Sequence, residues 1–156
     1  MSPSAAEISG RLEGPDHVYP LRVYYEDTDA GGVVYHANYL KFAERGRTEM
    51  LRLLGINQRE MASRYGMAFA VRALSMDFRR AARLDDDLEV RTRLVELRGA
   101  SIGVEQAVRR GAESLVGLVL RIVCLRPHGR PTRIPQAVRT TLEPYIQTPE
   151  IGRAHV

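Results

Sequence analysis

Between Tyr24 and Asn38 the chain reads YYEDTDAGGVVYHAN, with three carboxylates, Glu26, Asp27 and Asp29, inside four positions. Carboxylates clustered at the end of a strand can act as metal ligands, as acid, base or nucleophile, or as turn formers that bond their own backbone. For Asp27 the turn-forming role and the chemical role stand level. For Asp29 the balance shifts toward chemistry, because Gly31 and Gly32 follow and a backbone without Cβ lets a ligand approach closely. Just beyond comes a helix start, whose first N–H groups have no acceptor of their own. Such donors, helped by the helix dipole, stabilise an oxyanion as it develops. A carboxylate beside an oxyanion site meets the needs of acyl transfer to water.

Two other motifs fail at this segment. A calcium loop opening at Asp27 would need Asp or Asn at position 31 and Glu at position 38, where the chain has Gly31 and Asn38. A phosphoaspartyl site of Asp-x-Asp type needs a larger parallel α/β domain and a lysine. Lys41 is the only lysine, and the strands read as antiparallel. Cys124 falls mid-strand and reads as a small buried residue, not a nucleophile. His17, His128 and His155 show no partner pattern and are assigned no role.

The elements that must position Asp29 follow from periodicity. HVYPLRVYYE, from His17, is rich in β-branched and aromatic residues and predicts a strand, which EDTDAGG breaks. From Asn38 to Leu54, Tyr39, Phe42, Ala43, Met50, Leu53 and Leu54 recur at helical spacing, and Gly55 stops the run. Gly46 within this helix costs about 1 kcal/mol relative to Ala, which a close approach of helix to sheet would explain. A short helix is predicted at 57–65, ended by Gly66. The period then switches to two, giving strands at 67–78, 87–98, 101–110 and 114–125. Leu88, Val90, Thr92 and Leu94 alternate with Glu89, Arg91 and Arg93, the pattern of a sheet with one wet face. Short glycine-containing links make the later strands antiparallel hairpins. The strand 114–125 is apolar almost throughout, which suits a central position or cover by a partner chain. Pro135–Ile146 predicts a terminal helix. One helix cannot cover both faces and both edges of such a sheet, so a homo-oligomer is expected.

At 156 residues the chain suits one domain, expected over 17–146, with a flexible leader at 1–16 and a flexible tail at 147–156. The longest stretch without Asp, Glu, Lys or Arg is Ala30–Leu40, far short of the about 20 apolar residues of a membrane span. No secretory signal is visible at the N-terminus, and a lone cysteine excludes an intrachain disulfide; the cytoplasm is the expected compartment. The net charge is +4, and 22 of the 23 basic residues are arginines, whose planar fork suits phosphate. They are scattered among acids with no basic block, so nucleic-acid binding is not expected.

RVYYEDTDAGGVVYHANYLKFAERGRTEML, from Arg22 to Leu51, closely resembles the opening of the 4-hydroxybenzoyl-CoA thioesterase-like hotdog proteins, in the acyl-CoA thioesterase type encoded with the Tol-Pal cell-envelope system. ARLDDDLEV (Ala82–Val90), LRGAS (Leu97–Ser101) and IVCLRP (Ile122–Pro127) extend the resemblance over about 18–137. It implies an α+β hotdog fold, a curled antiparallel sheet of about five strands wrapped around a long central helix. It also implies paired protomers with a continuous sheet, active sites at their interface, and often a homotetramer built as a dimer of dimers. Carried over by position, Asp29 is the catalytic carboxylate, acting as nucleophile on the thioester carbonyl or as general base for water. The polarising N–H falls on His36, whose imidazole serves the thioester, pairs with Asp29, or merely packs. Gly32, Val34 and Tyr35 complete the oxyanion site and pocket, and Asn38 caps the helix. Where relatives often carry proline the chain has Ala81, beside Arg79, Arg80 and Arg83. These three are the candidates for the CoA phosphates, with Arg126, Arg130 and Arg133 as a second set.

The function implied is hydrolysis of acyl-CoA to free acid and CoA, with no metal or cofactor. Acyl carrier protein is a further candidate donor. The competing reading is a non-catalytic acyl-CoA or acyl-carrier-protein binding subunit of envelope or phospholipid machinery, against which the retained Asp29 argues. Val33, Val34, Phe42, Met67, Phe69 and Met76 are expected to wall an apolar acyl slot. Short, long and aromatic acyl groups all stay open.

Overall fold

A computed structural model describes residues 8–149. Six strands form one antiparallel sheet: β1 (Arg11–Glu13), β2 (Asp16–Arg22), β3 (Ala68–Phe78), β4 (Asp87–Leu97), β5 (Ser101–Arg110) and β6 (Glu113–Leu125), in the order β1-β2-β4-β5-β6-β3. The long helix α1 (Asn38–Leu53) lies across the concave face, packed mainly on β2, β4 and β5. This is the expected α+β architecture, with one strand more than the five anticipated.

The helix is held by its apolar stripe. Tyr39, Phe42, Ala43, Gly46 and Met50 are buried against the inward residues Leu88, Val90 and Leu94 of β4 and Val104 and Val108 of β5. Gly46 sets the approach distance. A Cβ there would stand 2.7 Å from Val90 Cγ1, so only glycine lets the helix lie this low. Beneath it, buried Gln106 donates through Nε2 to the Ala43 carbonyl and to Thr92 Oγ1, both at 2.9 Å. The outward side of β4 carries the charges, Arg91 reaching Glu13 at 3.0 Å and Arg93 gripping Asp16 at 2.9 and 3.0 Å.

Several boundaries differ from expectation. The leader expected over 1–16 is corrected at its end: Arg11–Glu13 pair with Asp16–Val18 as an edge hairpin. His17, assigned nothing from sequence, is fully buried beneath this hairpin, its Nε2 donating to the Ser9 carbonyl at 2.7 Å. Residues 1–7 and 150–156, with most of the expected tail and His155, lie outside the described residues. At the tail's near end the Gln147 N–H donates to the Leu94 carbonyl at 2.8 Å. The first strand ends at Arg22, short of the expected Glu26, because Asp27 Oδ2 accepts the Tyr24 N–H at 2.9 Å and turns 25–27 into a 3-10 helix. The short second helix is an α turn, α2 (Gln58–Glu60), capped by Asn57 and followed by a π turn to Tyr65 that Gly66 closes at φ 63°. The terminal helix α3 spans Gln136–Leu142, with a 3-10 turn at Glu143–Tyr145.

β6 lies inside the sheet, as its apolar sequence suits, while β3 forms the edge. A bulge between Val71 and Ala73 restores alternation, so that Phe69, Val71, Leu74, Met76 and Phe78 all share the helix-facing side, opposite Cys124, Ile122, Leu120, Leu118 and Val116 of β6. Without that extra residue one half of the apolar row would point to the other face.

Candidate active site

Asp29 stands at the tip of a small hairpin. The Asp29 N–H donates to the Val33 carbonyl at 2.9 Å and the Gly32 N–H returns to the Asp29 carbonyl at 3.0 Å. Thr28 and Val34 bridge below them. Gly32 adopts φ +77°, the left-handed conformation that follows a type I turn in a hairpin of this kind. The Asp29 side chain joins the turn, Oδ1 accepting the Gly31 N–H at 2.8 Å. Its other oxygen makes no hydrogen bond among the described residues, and the residue is solvent-exposed. The Asx turn therefore falls on Asp29, while Asp27 serves as the cap of the preceding 3-10 turn. One feature thus orients the carboxylate and leaves an oxygen free.

Helix α1 begins nine residues further on. Its earliest bonds run from the Asn38 N–H to the Tyr35 carbonyl (2.8 Å) and from the Tyr39 N–H to the His36 carbonyl (3.4 Å). The N–H groups of His36 and Ala37 precede this ladder and have no intrahelical acceptor. Asn38, expected as a cap, is the first residue of the helix; its Nδ2 instead donates to the Asp27 carbonyl at 2.7 Å. Ala37 occupies the cap position with no side-chain bond.

Two residues missed from sequence build the wall beside His36. Phe78, at the end of β3, meets the His36 ring edge-on at 6.2 Å and the Tyr39 ring at 5.8 Å; Tyr35 lies 4.5 Å from His36 on the other side. Tyr39 accepts the Ala82 N–H on its hydroxyl at 2.9 Å, and the Val34 N–H donates to the Ala82 carbonyl at 2.8 Å. Burial pushes the Tyr39 phenol up, the Ala82 N–H only partly opposing it, so the hydroxyl stays neutral. The segment after β3 is thus pinned to the Asp29 hairpin and the helix. Val33 also bridges to Arg83. No local pattern announces these contacts, because each joins residues about forty to fifty positions apart.

The structure gathers Asp29, Gly32, Val34, Tyr35 and His36 on one loop and brings Arg83 against it. Arg79 and Arg80 lie on the same segment but are taken up by acids, Arg79 by Asp77 at 3.0 Å and Arg80 by Glu113 at 3.2 Å. The Arg83 guanidinium is in no ion pair among the described residues; its main-chain N–H donates to Asp86 Oδ2 at 2.8 Å. Desolvation works against the Asp86 charge, but that N–H and the Arg110 guanidinium outweigh it and hold the carboxyl below its usual range. Arg126, Arg130 and Arg133 are exposed at the far end of β6, Arg126 donating to Thr132 Oγ1.

A cavity of about 310 Å³ opens in the crease between the second half of α1 and strands β3 to β6. Met50, Leu51, Phe69, Val71, Ile102 and Ile122 form its apolar wall. Of the six residues expected to wall an acyl slot only Phe69 lines it. Val34 and Phe42 are buried in the core instead, 3% and 1% exposed, Phe42 on the buried stripe of α1 and Val34 on the hairpin bonded to Ala82. Neither Asp29 nor His36 borders the cavity within one chain. Among the described residues no three His, Cys, Asp or Glu side chains are placed to hold a metal ion, and no helix is long and apolar enough to cross a membrane.

Residues 31–116 match the thioesterase superfamily. The chain is 48% identical over 107 residues to the acyl-CoA thioesterase YbgC of Haemophilus influenzae, covering 69% of this chain and 79% of that one. It is 43% identical over 123 residues to the acyl-CoA thioester hydrolase YbgC of Escherichia coli, covering 77% and 90%. Among solved structures, a probable thioesterase from Bartonella henselae superposes with a TM-score of 0.74 at 41% identity, over 77% of this chain and 99% of that one.

Proposed function

The chain belongs to the thioesterase superfamily and hydrolyses acyl-CoA to a free acid and CoA, and we propose that Asp29 carries the reaction at the entrance of α1. The observation that supports this is the Asp29 carboxylate itself, held by the Gly31 N–H with one oxygen free, on the loop that runs into the unsatisfied donors of the helix start. The thioester carbonyl oxygen takes the N–H of His36, where the helix dipole favours negative charge. The free Asp29 oxygen then either attacks the carbonyl carbon, expelling CoA thiolate and leaving a mixed anhydride that water hydrolyses, or removes a proton from the water that attacks. In both routes one water is consumed, its oxygen going to the acid and a proton to the thiolate. CoA leaves as the thiol. The chemistry so written asks for no metal or organic cofactor. The His36 imidazole, held between Tyr35 and Phe78, is placed to pack against the thioester.

The acting unit in this reading is a dimer. β3 is an edge strand whose helix-facing row is open, with Val71 46%, Leu74 40% and Phe78 50% exposed, an aggregation liability unless covered. Antiparallel pairing with a second copy's β3 about the strand's midpoint continues the sheet. It sets the partner's Phe78, and with it the partner's His36 and Asp29, beside Phe69–Val71 at the cavity. The acyl slot of one copy thus meets the catalytic loop of the other, which accounts for a cavity that Asp29 does not border within one chain. The same pairing brings Arg126, Arg130 and Arg133, beyond the end of β6, alongside the partner's site. With Arg79 and Arg80 already in ion pairs, Arg83 and this second set are the arginines free for the CoA phosphates. The cytoplasm is the compartment that fits such a substrate, and an acyl group on a carrier protein would enter the same slot.

Free-thiol release from short, long and aromatic acyl-CoAs by wild type and Asp29→Asn tests the assignment. Asn keeps the side-chain oxygen that accepts the Gly31 N–H, so the loop should hold while the rate falls by about 10²–10⁴. An unchanged rate would remove Asp29 from the mechanism. Binding of acyl-CoA by both proteins with no turnover by either would replace hydrolysis with a binding role.

A further inference from the structure

The cavity between α1 and the sheet has an apolar wall but also polar lining groups, Glu44, Arg47, Thr48, Gln58 and Thr92, and Arg47 is the cation among them. Arg47 lines it from the helix side and is only partly exposed. Of its five N–H donors, Nη1 reaches Gln106 Oε1 at 3.0 Å, and the guanidinium is in no ion pair among the described residues. Glu44, one turn earlier, is exposed at the cavity's rim and attracts Arg47 through space without contact. Leaving a desolvated guanidinium without a counter-ion is costly, and burial accordingly lowers the proton affinity of Arg47. The side chain is nevertheless held in place. Gln106 is fixed by the Ala43 carbonyl and Thr92 Oγ1, and its remaining oxygen faces Arg47. An unpaired, pre-positioned cation in a cavity of ligand size is a recognition element awaiting an anion.

We propose that Arg47 reads the far end of the acyl group, and that the preferred substrates are CoA thioesters of acyl chains ending in a carboxylate. The proposal rests on the cavity being the acyl slot. A carboxylate matches the planar fork with two hydrogen bonds and supplies the missing counter-charge. A hydroxyl or keto oxygen would accept one bond and leave the cation uncompensated. An alkyl terminus would bury the guanidinium further with nothing to meet it. Around that end Met50, Leu51, Leu94 and Ile102 exclude water, which strengthens the pairing.

The experiment compares matched thioesters, butyryl-CoA against succinyl-CoA and hexanoyl-CoA against adipoyl-CoA, with spontaneous hydrolysis subtracted. Wild type should favour the carboxylated member of at least one pair by about tenfold or more in kcat/KM, since sites built to bond a polar group discriminate strongly against analogues lacking it. Arg47→Met should abolish or reverse that preference, with the loss mainly in KM. Arg47→Lys keeps the charge without the fork and should fall between. Should Arg47→Met fail to fold, a selective loss on the carboxylated substrates in Arg47→Lys carries the same information. Equal use of both members by wild type would overturn the proposal. So would a parallel loss on both members in Arg47→Met accompanied by dissociation of the dimer, which would assign Arg47 to the subunit contact. No turnover of any thioester by wild type would remove the hydrolase reading and this proposal with it.

Discussion

The side chain of Asn38 donates to the main-chain carbonyl of Asp27 at 2.7 Å, joining the first residue of the central helix to the loop that carries Asp29. The same carbonyl accepts the Tyr35 N–H at 3.0 Å. One oxygen therefore ties together the carboxylate loop, the residue before His36 and the helix itself. The separation between Asp29 and the His36 N–H, on which the proposed chemistry depends, is set by this junction.

Asn38→Ala removes one of the two bonds and leaves the Asp27 carbonyl paired with Tyr35. The expected cost in stability is about 1 kcal/mol. Turnover should fall more than that figure implies, roughly tenfold in kcat with KM little changed, since small misplacements of catalytic groups are costly. A thermal melt beside thiol-release kinetics separates the two effects. Unchanged kcat would show that the junction does not position the site.

Gly46→Ala should destabilise the protein despite the gain of up to about 1 kcal/mol in helix propensity. The added methyl would stand 2.7 Å from Val90 Cγ1, and Val90 is fully buried with no room to turn. Overpacking of this kind costs about 1–3 kcal/mol. Denaturant unfolding of the pair checks the sign. The double change Gly46→Ala with Val90→Ala should recover part of the loss.

Burial holds the pKa of His17 below its ordinary value of 6.5, against the opposing pull of the Ser9 carbonyl and Glu49. Its Nδ1 has no hydrogen-bond partner among the described residues. The unfolded chain therefore binds the proton more readily than the native one. Stability should rise with pH through the window below about 6.5 and level off above it, with a slope from this group of at most about 1.4 kcal/mol per pH unit. His17→Gln keeps a donor for Ser9 and should flatten the slope. Melts at pH 5 and pH 7.5 that differ equally in both proteins would assign the acid loss elsewhere.

Leu74→Glu tests the edge strand. Leu74 is 40% exposed in the single chain, so the change should cost little in folding stability. It places a charge in the middle of the row that the dimer would cover. Sedimentation should show a folded monomer, and thioesterase activity should fall with it because each site of the proposed dimer draws on both copies. A folded, active monomer would put the whole site within one chain.

Most of the local structure was legible in the sequence. The helical spacing from Tyr39 to Met50, the alternation of Leu88, Val90, Thr92 and Leu94, and the low approach inferred at Gly46 all reappear in the structure. Helices and hairpins are written in near neighbours, so periodicity and turn residues suffice. The misses lie where a distant partner decides. His17 has no local pattern, yet β1 and Ser9 bury it. Arg80 looks free until Glu113, 33 positions on, takes it. Phe78 and Tyr39 join the site only because β3 ends beside the start of α1.

By itself the sequence determined the order of the elements after β1, the family, and a loop that presents Asp29 between a strand and a helix. The tertiary structure decided which oxygen of Asp29 is free, which arginines are already paired, and that the acyl-sized cavity lies away from the carboxylate of its own chain. It also left the Arg47 guanidinium, bonded to Gln106, in no ion pair among the described residues within that cavity. Those outcomes depend on long-range packing and charge pairing, where the energy of a residue is set by whatever the fold brings against it. That information is spread over the whole chain and is readable only once the chain has closed on itself.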